Sequence, residues 1–229
     1  MTKDIKELMK YLGLIFISVL LTYKLPRDSY SIMQYIIKPI RFENSVLFIS
    51  AIVPLALFIV AIKGLFKTEP IGIQNKIAIV IIVLLMVIPL MKGSLDLAKN
   101  AYFQAMKVEL KSIDIKDSNL SFSDINEHQA TLSISLSLTD YGRNDSNFKV
   151  RMYLPESLKE YVQADFLEFD ESYQTFGNRQ ILNITKKITV PLEEGTNGEK
   201  IMDTHWYWDT FKYELYNESN SSELVYHGI

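Results

Sequence analysis

Three histidines, His128, His205 and His227, are the side chains of this chain best suited to bind a metal ion or to transfer a proton near neutral pH. A shared metal site would require them to converge. His205 and His227 flank a predicted hairpin, and a turn near residues 219–220 places His227 opposite residue 212. The strand rise of about 3.3 Å per residue then separates His227 from His205 by roughly 20 Å. We therefore predict surface histidines and no metal site.

Serine is abundant, but no serine lies in a pattern that would activate it as a nucleophile. No G-x-S-x-G turn occurs, and an exposed strand serine lacks the strained geometry of such a turn. Neither a G-x-G-x-x-G sequence nor a P-loop is present, so nothing indicates nucleotide binding. The chain contains no cysteine, which excludes disulfide scaffolds, Cys-type zinc sites and thiol nucleophiles. We expect a non-enzymatic protein with no catalytic residues and no cofactor.

Four carboxylates cluster in the segment DFLEFDE: Asp165, Glu168, Asp170 and Glu171. Oxygen-rich clusters of this kind can bind Ca²⁺ in extracellular modules. The ordered D-x-D-x-D-G calcium loop is missing, however, and charge on a strand edge is a common means of keeping that edge soluble. The second explanation is favoured.

The segment HWYWDTFKY places five aromatic side chains within eight residues, including both tryptophans of the chain. On an extended strand, Trp206 and Trp208 would share one face, whereas Phe211 and Tyr213 have the opposite parity. A bulge or turn at residues 209–210 would reconcile the two sets. Core packing explains one set, and the other could bind a ligand or form an interface. The candidate residues for ligand or partner contact are Trp206, Tyr207 and Trp208.

The elements that must position these residues are predicted strands. Apolar and polar residues alternate with a period of two, which is typical of half-buried strands, in the segments 130–142, 147–155, 181–192 and 210–227. Residues 108–117 and 165–171 are weaker strand candidates, and SLKEYV is expected to form one helical turn. Lys186 interrupts the apolar row of its strand, which suggests a bulge or a sheet edge. The uncharged stripe Thr131, Ser133, Ser135, Ser137 and Thr139 could accept a partner strand or a glycan, but is more typical of a solvated sheet face.

Together these strands predict an antiparallel β-sandwich, immunoglobulin-like in the broad sense, over residues 107–229. The first 99 residues differ from it, because they contain three long apolar runs. Residues 45–62 and 77–91 carry no charged side chain, and a membrane-spanning helix needs about 20 mainly apolar residues. The run over 11–23 follows a basic start without a cleavage site, which is typical of a signal-anchor.

We therefore predict an α + β membrane protein with three transmembrane helices near 8–24, 45–63 and 76–95. A juxtamembrane helix over 100–106 should lead into the sandwich. Between the first two spans, helical spacing of apolar residues with interleaved cations predicts a segment that lies on the bilayer surface; a plain loop is the alternative. The residues of this segment are Ile32, Tyr35, Ile36 and Ile40.

Charge is divided unevenly along the chain. Residues 1–99 carry a net charge of +6 and residues 100–229 a net charge of −9. The acidic part argues against nucleic-acid binding. Lysine and arginine are shared equally between the two sides of the predicted topology, so the positive-inside rule does not choose an orientation. We place the N-terminus in the cytoplasm and the sandwich outside, because a cysteine-free acidic β-domain suits an extracytoplasmic space. The Ile-, Lys- and Asn-rich composition is typical of low-GC Gram-positive bacteria.

These features predict a multi-pass protein of the cell membrane that presents an extracytoplasmic β-sandwich for ligand or partner binding, or for sensing. The expected partners are the lipid bilayer and another membrane or surface protein, with neither nucleic acid nor nucleotide among them. The alternative is an accessory or structural subunit of a larger membrane complex such as a transporter, in which the spans provide helix-packing surfaces.

Overall fold

A computed structural model describes residues 3–42, 45–68, 72–105, 109–126, 128–196, 201 and 206–228. Its α-helices are α1 Lys3–Leu21, α2 Ile32–Ile36, α3 Ile52–Thr68, α4 Lys76–Ile82, α5 Ile88–Ala105 and α6 Glu156–Lys159. The strands of the hairpin near the N-terminal helices are β1 Ile40–Phe42 and β2 Ser45–Leu47. The later strands are β3 Ile113–Ser123, β4 Gln129–Asp140, β5 Asp145–Tyr153, β6 Phe166–Glu168, β7 Tyr173–Phe176, β8 Gln180–Pro191, β9 Thr210–Tyr216 and β10 Ser221–His227.

The chain divides into two compact units. The first comprises Met1–Lys24 and Tyr30–Lys99, and the second comprises Leu25–Ser29 and Asn100–Ile229. The short segment Leu25–Ser29 therefore belongs to the second unit although it lies between α1 and α2 in sequence. Sequence reasoning did not anticipate this placement.

The first unit is built on the packing of α1 against α3, with α4 on the same apolar cluster. Ile15 and Val19 of α1 are buried there with Ala61 and Leu65 of α3. The two helices approach closely at Gly64, where an added Cβ would lie 2.0 Å from the Tyr11 ring. The side chain at position 64 therefore has to be absent for this packing to form.

Two helices among the described residues are long and apolar enough to cross a membrane, Ile49–Thr68 and Lys76–Ala105. These correspond to the second and third predicted spans. Helix α1 carries charged residues at five of its first eight positions, which leaves a shorter apolar part for spanning. The first predicted span is therefore not confirmed and stays a prediction.

The prolines inside the two long helices are accommodated locally. Pro54 lies in the first turn of α3, where the backbone N–H groups have no partner within the helix. Its carbonyl oxygen accepts a hydrogen bond from the buried Ser18 hydroxyl at 2.8 Å. Pro89 follows a π-helical turn at Val83–Val87, a common way of relieving a break in the α-helical ladder.

The predicted surface segment is divided between two elements. Ile32, Tyr35 and Ile36 lie on or at the ends of the short helix α2, whereas Ile40 begins strand β1. The helix ends at Ile36, before Pro39, a residue that cannot continue a helix without breaking its hydrogen-bond ladder. Tyr35, Ile36 and Ile40 are nevertheless exposed, as an interfacial segment would require.

The second unit contains a five-stranded and a three-stranded antiparallel sheet. The first sheet has the order β10-β9-β5-β6, with β7 also paired to β5, and the second has the order β3-β4-β8. Leu132, Ile134, Leu136 and Leu138 point from β4 into an apolar cluster that also receives inward residues of β5 and β9. Both sheets thus contribute to one core, and the period-two alternation predicted for β4 is confirmed in its burial pattern.

Strand β8 keeps an unbroken register with β4, including the pair Ile134–Lys186. A bulge at Lys186 was one of the two sequence hypotheses and is wrong; the other, a position on an edge strand, is correct. The helical turn predicted for SLKEYV forms as α6, which begins one residue earlier, at Glu156, and ends at Lys159. The predicted juxtamembrane helix is continuous with α5, which ends at Ala105, and Met106 lies outside the described residues.

We call Leu25–Ser29 the strap. Val225 of β10 donates its N–H to Arg27 O at 3.0 Å and accepts at its carbonyl from Ser29 N at 3.1 Å. The strap thereby extends the five-stranded sheet beyond β10. Arg27 also donates its backbone N–H to Asp114 Oδ1 on β3, at 2.5 Å. The strap is therefore held by the edge strands of both sheets.

Candidate ligand-binding cleft

A cavity of about 270 Å³ lies where edge strand β3 of one sheet meets edge strand β10 of the other. Strands rarely pair across such a corner, which leaves space between the two sheets. The lining is aromatic and polar: Asp117, Ser118, Asn119, Leu120, Trp206, Tyr207, Phe211, Tyr226 and Gly228. We call this cavity the cleft.

Asp117 is placed in the cleft by an irregularity in β3. The register of β3 against β4 shifts between Ile115 and Asp117, which leaves Lys116 as the extra residue of a β-bulge. Bulges redirect the side chains that follow them and are frequent next to functional sites. Here the bulge precedes the only acidic residue among the described cleft-lining residues.

Hydrogen bonds join the two strands across the cleft. Tyr226 of β10 donates its hydroxyl to Asp117 Oδ1 at 3.1 Å, and the same oxygen accepts from Ser118 N at 2.9 Å. Deeper in the unit, the Ser118 hydroxyl lies 2.6 Å from the Tyr213 hydroxyl, and both are buried. The wall formed by β3 is thus tied to β9 as well as to β10.

Tyr226 in the cleft lining and Tyr213 behind it have raised pKa values. Burial raises the pKa of Tyr213, and burial together with the negative charge of Asp117 raises the pKa of Tyr226. Both phenols therefore remain protonated well above neutral pH, so that Tyr226 keeps donating to Asp117. Titratable groups perturbed by burial and by a specific charge are enriched at functional sites, which supports the choice of this cavity.

The aromatic wall is a 3-10 turn over Trp206–Trp208. Trp206 and Trp208 are buried, with exposed fractions of 5% and 9%, whereas Tyr207 between them is 39% exposed. Our expectation that Trp206 and Trp208 lie on a strand is wrong; of the bulge and the turn predicted at residues 209–210, a turn leads into β9, but it spans Trp206–Trp208. Of the three candidate contact residues, Trp206 and Tyr207 line the cleft, and Tyr207 is the exposed one.

Trp206 is held in the core by its neighbours. Its Nε1 donates to Ile201 O at 3.0 Å, and its ring makes edge-to-face contacts with Phe122 and Phe211. At the other end of the wall, an added Cβ on Gly228 would lie 1.7 Å from Tyr207 O. Only glycine allows the end of β10 to approach the turn this closely.

The two histidines in the described part of the chain are not among the residues that line the cleft. His128 is exposed, and His205 lies outside the described residues. His227 is not the surface residue we predicted, and it pairs with Thr210 rather than with residue 212. Its Nδ1 lies 2.8 Å from Thr210 Oγ1, and its Nε2 lies 3.4 Å from Asp28 Oδ1 in the strap.

The four carboxylates of the acidic cluster form ion pairs with three different basic side chains and do not converge on one point. Lys186 Nζ lies 3.6 Å from Asp170 and 3.2 Å from Glu171. Glu168 pairs with Arg151 and Asp165 with Lys159. In the described part of the chain, no group of three or more metal-ligating side chains is arranged to hold an ion.

A second depression, of about 630 Å³, lies beside the β9–β10 turn and is lined by residues such as Lys149, Tyr216 and Glu218. It is larger than the cleft but brings together both signs of charge and few aromatic rings. The cleft combines a carboxylate, several aromatic rings and a tyrosine whose pKa is raised, and we regard it as the stronger candidate site. Comparisons of the chain with protein-family models and with curated proteins found no match.

Sequence reasoning found the aromatic wall of the cleft but missed Asp117 and Tyr226. The aromatic density of residues 206–213 was a clear local signal. Asp117 depends on a bulge, and Tyr226 on pairing between strands far apart in sequence. Neither leaves a local pattern that could have been recognised.

Proposed function

We propose that this chain is a membrane-anchored protein that presents a β-sandwich outside the cytoplasm and binds a ligand or partner there, without catalysing a reaction. The cleft between β3 and β10 is the observation that carries this proposal. It is a concave site with a carboxylate and exposed aromatic surface, built on two strands of a packed core. No nucleophile–base pair lies among its described lining residues, which favours binding over catalysis.

The packing of the second unit supports a sandwich. Phe148, Val150 and Met152 of the five-stranded sheet share one buried cluster with the inward leucines of β4 in the other sheet. Two antiparallel sheets packed over a common core define this architecture.

The outward side chains of the long helices support a membrane location. Leu85, Leu90 and Leu97 are each about 70% exposed. Such a surface would be unfavourable in water and is ordinary against lipid. The Ser18–Pro54 hydrogen bond and the tight Gly64 contact are the kinds of interaction that hold transmembrane helices together. They support the first predicted span, α1, as a transmembrane helix packed against α3.

The strap supports a sensing role. It begins four residues after the last residue of α1, it pairs with β10, and it donates a hydrogen bond to the Asp114 side chain of β3; both strands line the cleft. Val225 in the strap pairing is adjacent to Tyr226 in the cleft, and Asp114 lies three residues before Asp117. A ligand that changes the spacing of β3 and β10 would therefore act on the segment attached to α1.

A groove on α5 favours the accessory-subunit function as a second candidate. The groove measures about 670 Å³ and is lined by Leu85, Met86, Pro89, Leu90, Gly93, Ser94 and Leu97. An added Cβ on Gly93 meets nothing within 4 Å. Small residues flanked by exposed leucines are typical of contacts between membrane helices.

Purification of the tagged full-length chain from native membranes distinguishes these functions. We compare the wild type with Tyr207→Ala, which alters the cleft, and Gly93→Leu, which fills the groove. Binding through the cleft predicts a stoichiometric partner that is retained by Gly93→Leu and lost from Tyr207→Ala. A partner lost only from Gly93→Leu would favour the accessory subunit, and one retained by both variants would contradict binding through the cleft.

A further inference from the structure

We infer that the cleft binds an alkylammonium group, as carried by a lysine side chain or a free polyamine. This inference rests on the proposed function, since it names the ligand class for the same cleft. It depends on the charge, the hydrogen-bonding capacity and the aromatic surface of the residues that line the cavity.

The charge of the cleft is negative. Asp117 is the only ionised side chain among the nine described lining residues, and no lysine, arginine or histidine is among them. Within the described part of the chain, Asp117 forms no ion pair, in contrast to the four carboxylates of the acidic cluster. A cationic ligand would supply the counter-charge that the surrounding residues do not.

The hydrogen bonds of the cleft residues suit a ligand that donates hydrogen bonds. The two described bonds to the Asp117 carboxylate both reach Oδ1, from Tyr226 and from Ser118 N. Among the described residues no hydrogen bond reaches its Oδ2 atom, which can accept from a ligand, and Asn119 on the same strand offers an amide oxygen. An ammonium group has three N–H donors and no acceptor, so it can donate to both the Asp117 carboxylate and the Asn119 amide oxygen.

The aromatic wall suits a cation as well. Trp206, Tyr207, Phe211 and Tyr226 line the same cavity as the carboxylate. The face of an aromatic ring attracts a cation and also covers the methylene groups of an alkyl chain. An anionic ligand would be repelled by Asp117, and the net charge of −9 over residues 100–229 would disfavour its approach.

Tryptophan fluorescence offers a direct readout, because the two tryptophans of the chain are Trp206, in the cleft wall, and Trp208, beside it. The full-length protein in lipid nanodiscs is titrated with three probes. Nα-acetyl-lysine methylamide carries the ammonium group on an amino-acid side chain, and spermidine carries it as a free polyamine. Nα-acetyl-norleucine methylamide has the same alkyl stem without the charge.

Two matched variants complete the design. Asp117→Asn removes the charge but keeps an oxygen that can accept from Tyr226. Asp124→Asn removes a charge of the same kind from the turn after β3, outside the cleft lining. Far-UV circular dichroism and an unchanged melting temperature establish that each variant is folded. If Asp117→Asn is not folded, Tyr207→Ala replaces it, with the same expected loss of binding.

We expect a saturable fluorescence change with at least one amine probe in the wild type and in Asp124→Asn. The affinity should fall at least tenfold in Asp117→Asn, and the norleucine probe should give no saturable change. Preference for the lysine probe identifies a peptide or protein source, and preference for spermidine identifies a free polyamine.

Equal affinity in Asp117→Asn, equal binding of the norleucine probe, or no saturable response to either amine would overturn the inference. The proposed function fails on a different observation, namely a partner that remains bound after Tyr207→Ala. A Tyr207-dependent partner together with no amine response would therefore remove the ligand class and leave the binding function standing.

Discussion

Trp206 and Tyr207 are neighbours in sequence with opposite roles. Trp206 is nearly fully buried and hydrogen-bonded, whereas Tyr207 exposes 39% of its surface at the cleft. We expect Trp206→Ala to lower the free energy of unfolding by roughly 3–5 kcal/mol, as is usual for a buried aromatic residue. Tyr207→Ala should cost less than about 1 kcal/mol. Denaturant unfolding monitored by circular dichroism measures both, and comparable costs at the two positions would contradict the assignment of Trp206 to the core.

Arg151 and Glu168 form the centre of a polar cluster on the five-stranded sheet. The Arg151 guanidinium lies 4.7 Å from the centre of the Phe166 ring and 4.9 Å from that of Tyr216. Its hydrogen bond to Glu168 lowers the pKa of that carboxyl below the ordinary value. A lowered carboxyl pKa means that the stabilisation is present above the unfolded-state pKa and is lost as the pH falls through the folded-state pKa.

From this we predict that the Glu168 carboxyl titrates at lower pH than a model glutamate, and that Arg151→Met raises its pKa. Carbon-13 NMR titration of the side-chain carboxyl measures the shift directly. The matched change Lys212→Met, which removes the partner of Glu223 on the same sheet, should leave the Glu168 titration unchanged. An unchanged Glu168 titration in Arg151→Met would show that the pair does not form in solution.

At the scale of elements, the strap is the feature with the clearest local test. His227 donates its backbone N–H to Ser29 Oγ at 2.8 Å, so Ser29→Ala removes one bond between the strap and β10. One such bond is worth about 1 kcal/mol, which predicts roughly fivefold faster hydrogen exchange at the His227 amide. Ser121→Ala, on the exposed face of β3, is the matched control. Unchanged exchange at His227 would indicate that the strap does not hold β10.

The elements also show which parts of the fold a local sequence pattern can predict. Strands β4, β5, β8, β9 and β10 were predictable because each alternates between apolar and polar side chains, and that alternation depends only on the strand itself. The 3-10 turn at Trp206–Trp208 was not, because two buried tryptophans on either side of an exposed tyrosine give the same alternation as a strand. The short strand β7 carries too few residues for a period to emerge. The strap pairs residues about 200 positions apart, which no local pattern records.

At the scale of the whole molecule, the contrast between the two units in charge and apolar content was visible in the sequence. The two long apolar helices were predictable from uninterrupted runs of apolar residues. The length of such a run indicates a spanning helix without any periodic pattern. The first predicted span is harder to establish, since α1 combines a charged start with a shorter apolar part. The side of the membrane is harder still, because the basic residues are balanced between both sides.

Topology is therefore the central claim to measure, and the absence of native cysteine makes single-cysteine labelling clean. Asn144 is exposed in the turn before β5, and Gln74 is exposed between α3 and α4. We would express Asn144→Cys and Gln74→Cys separately and treat intact cells with a membrane-impermeant maleimide. Our account predicts labelling of the Asn144 variant alone, with both variants labelled after lysis. Labelling of the Gln74 variant alone in intact cells would place the cleft in the cytoplasm and contradict an extracytoplasmic binding domain.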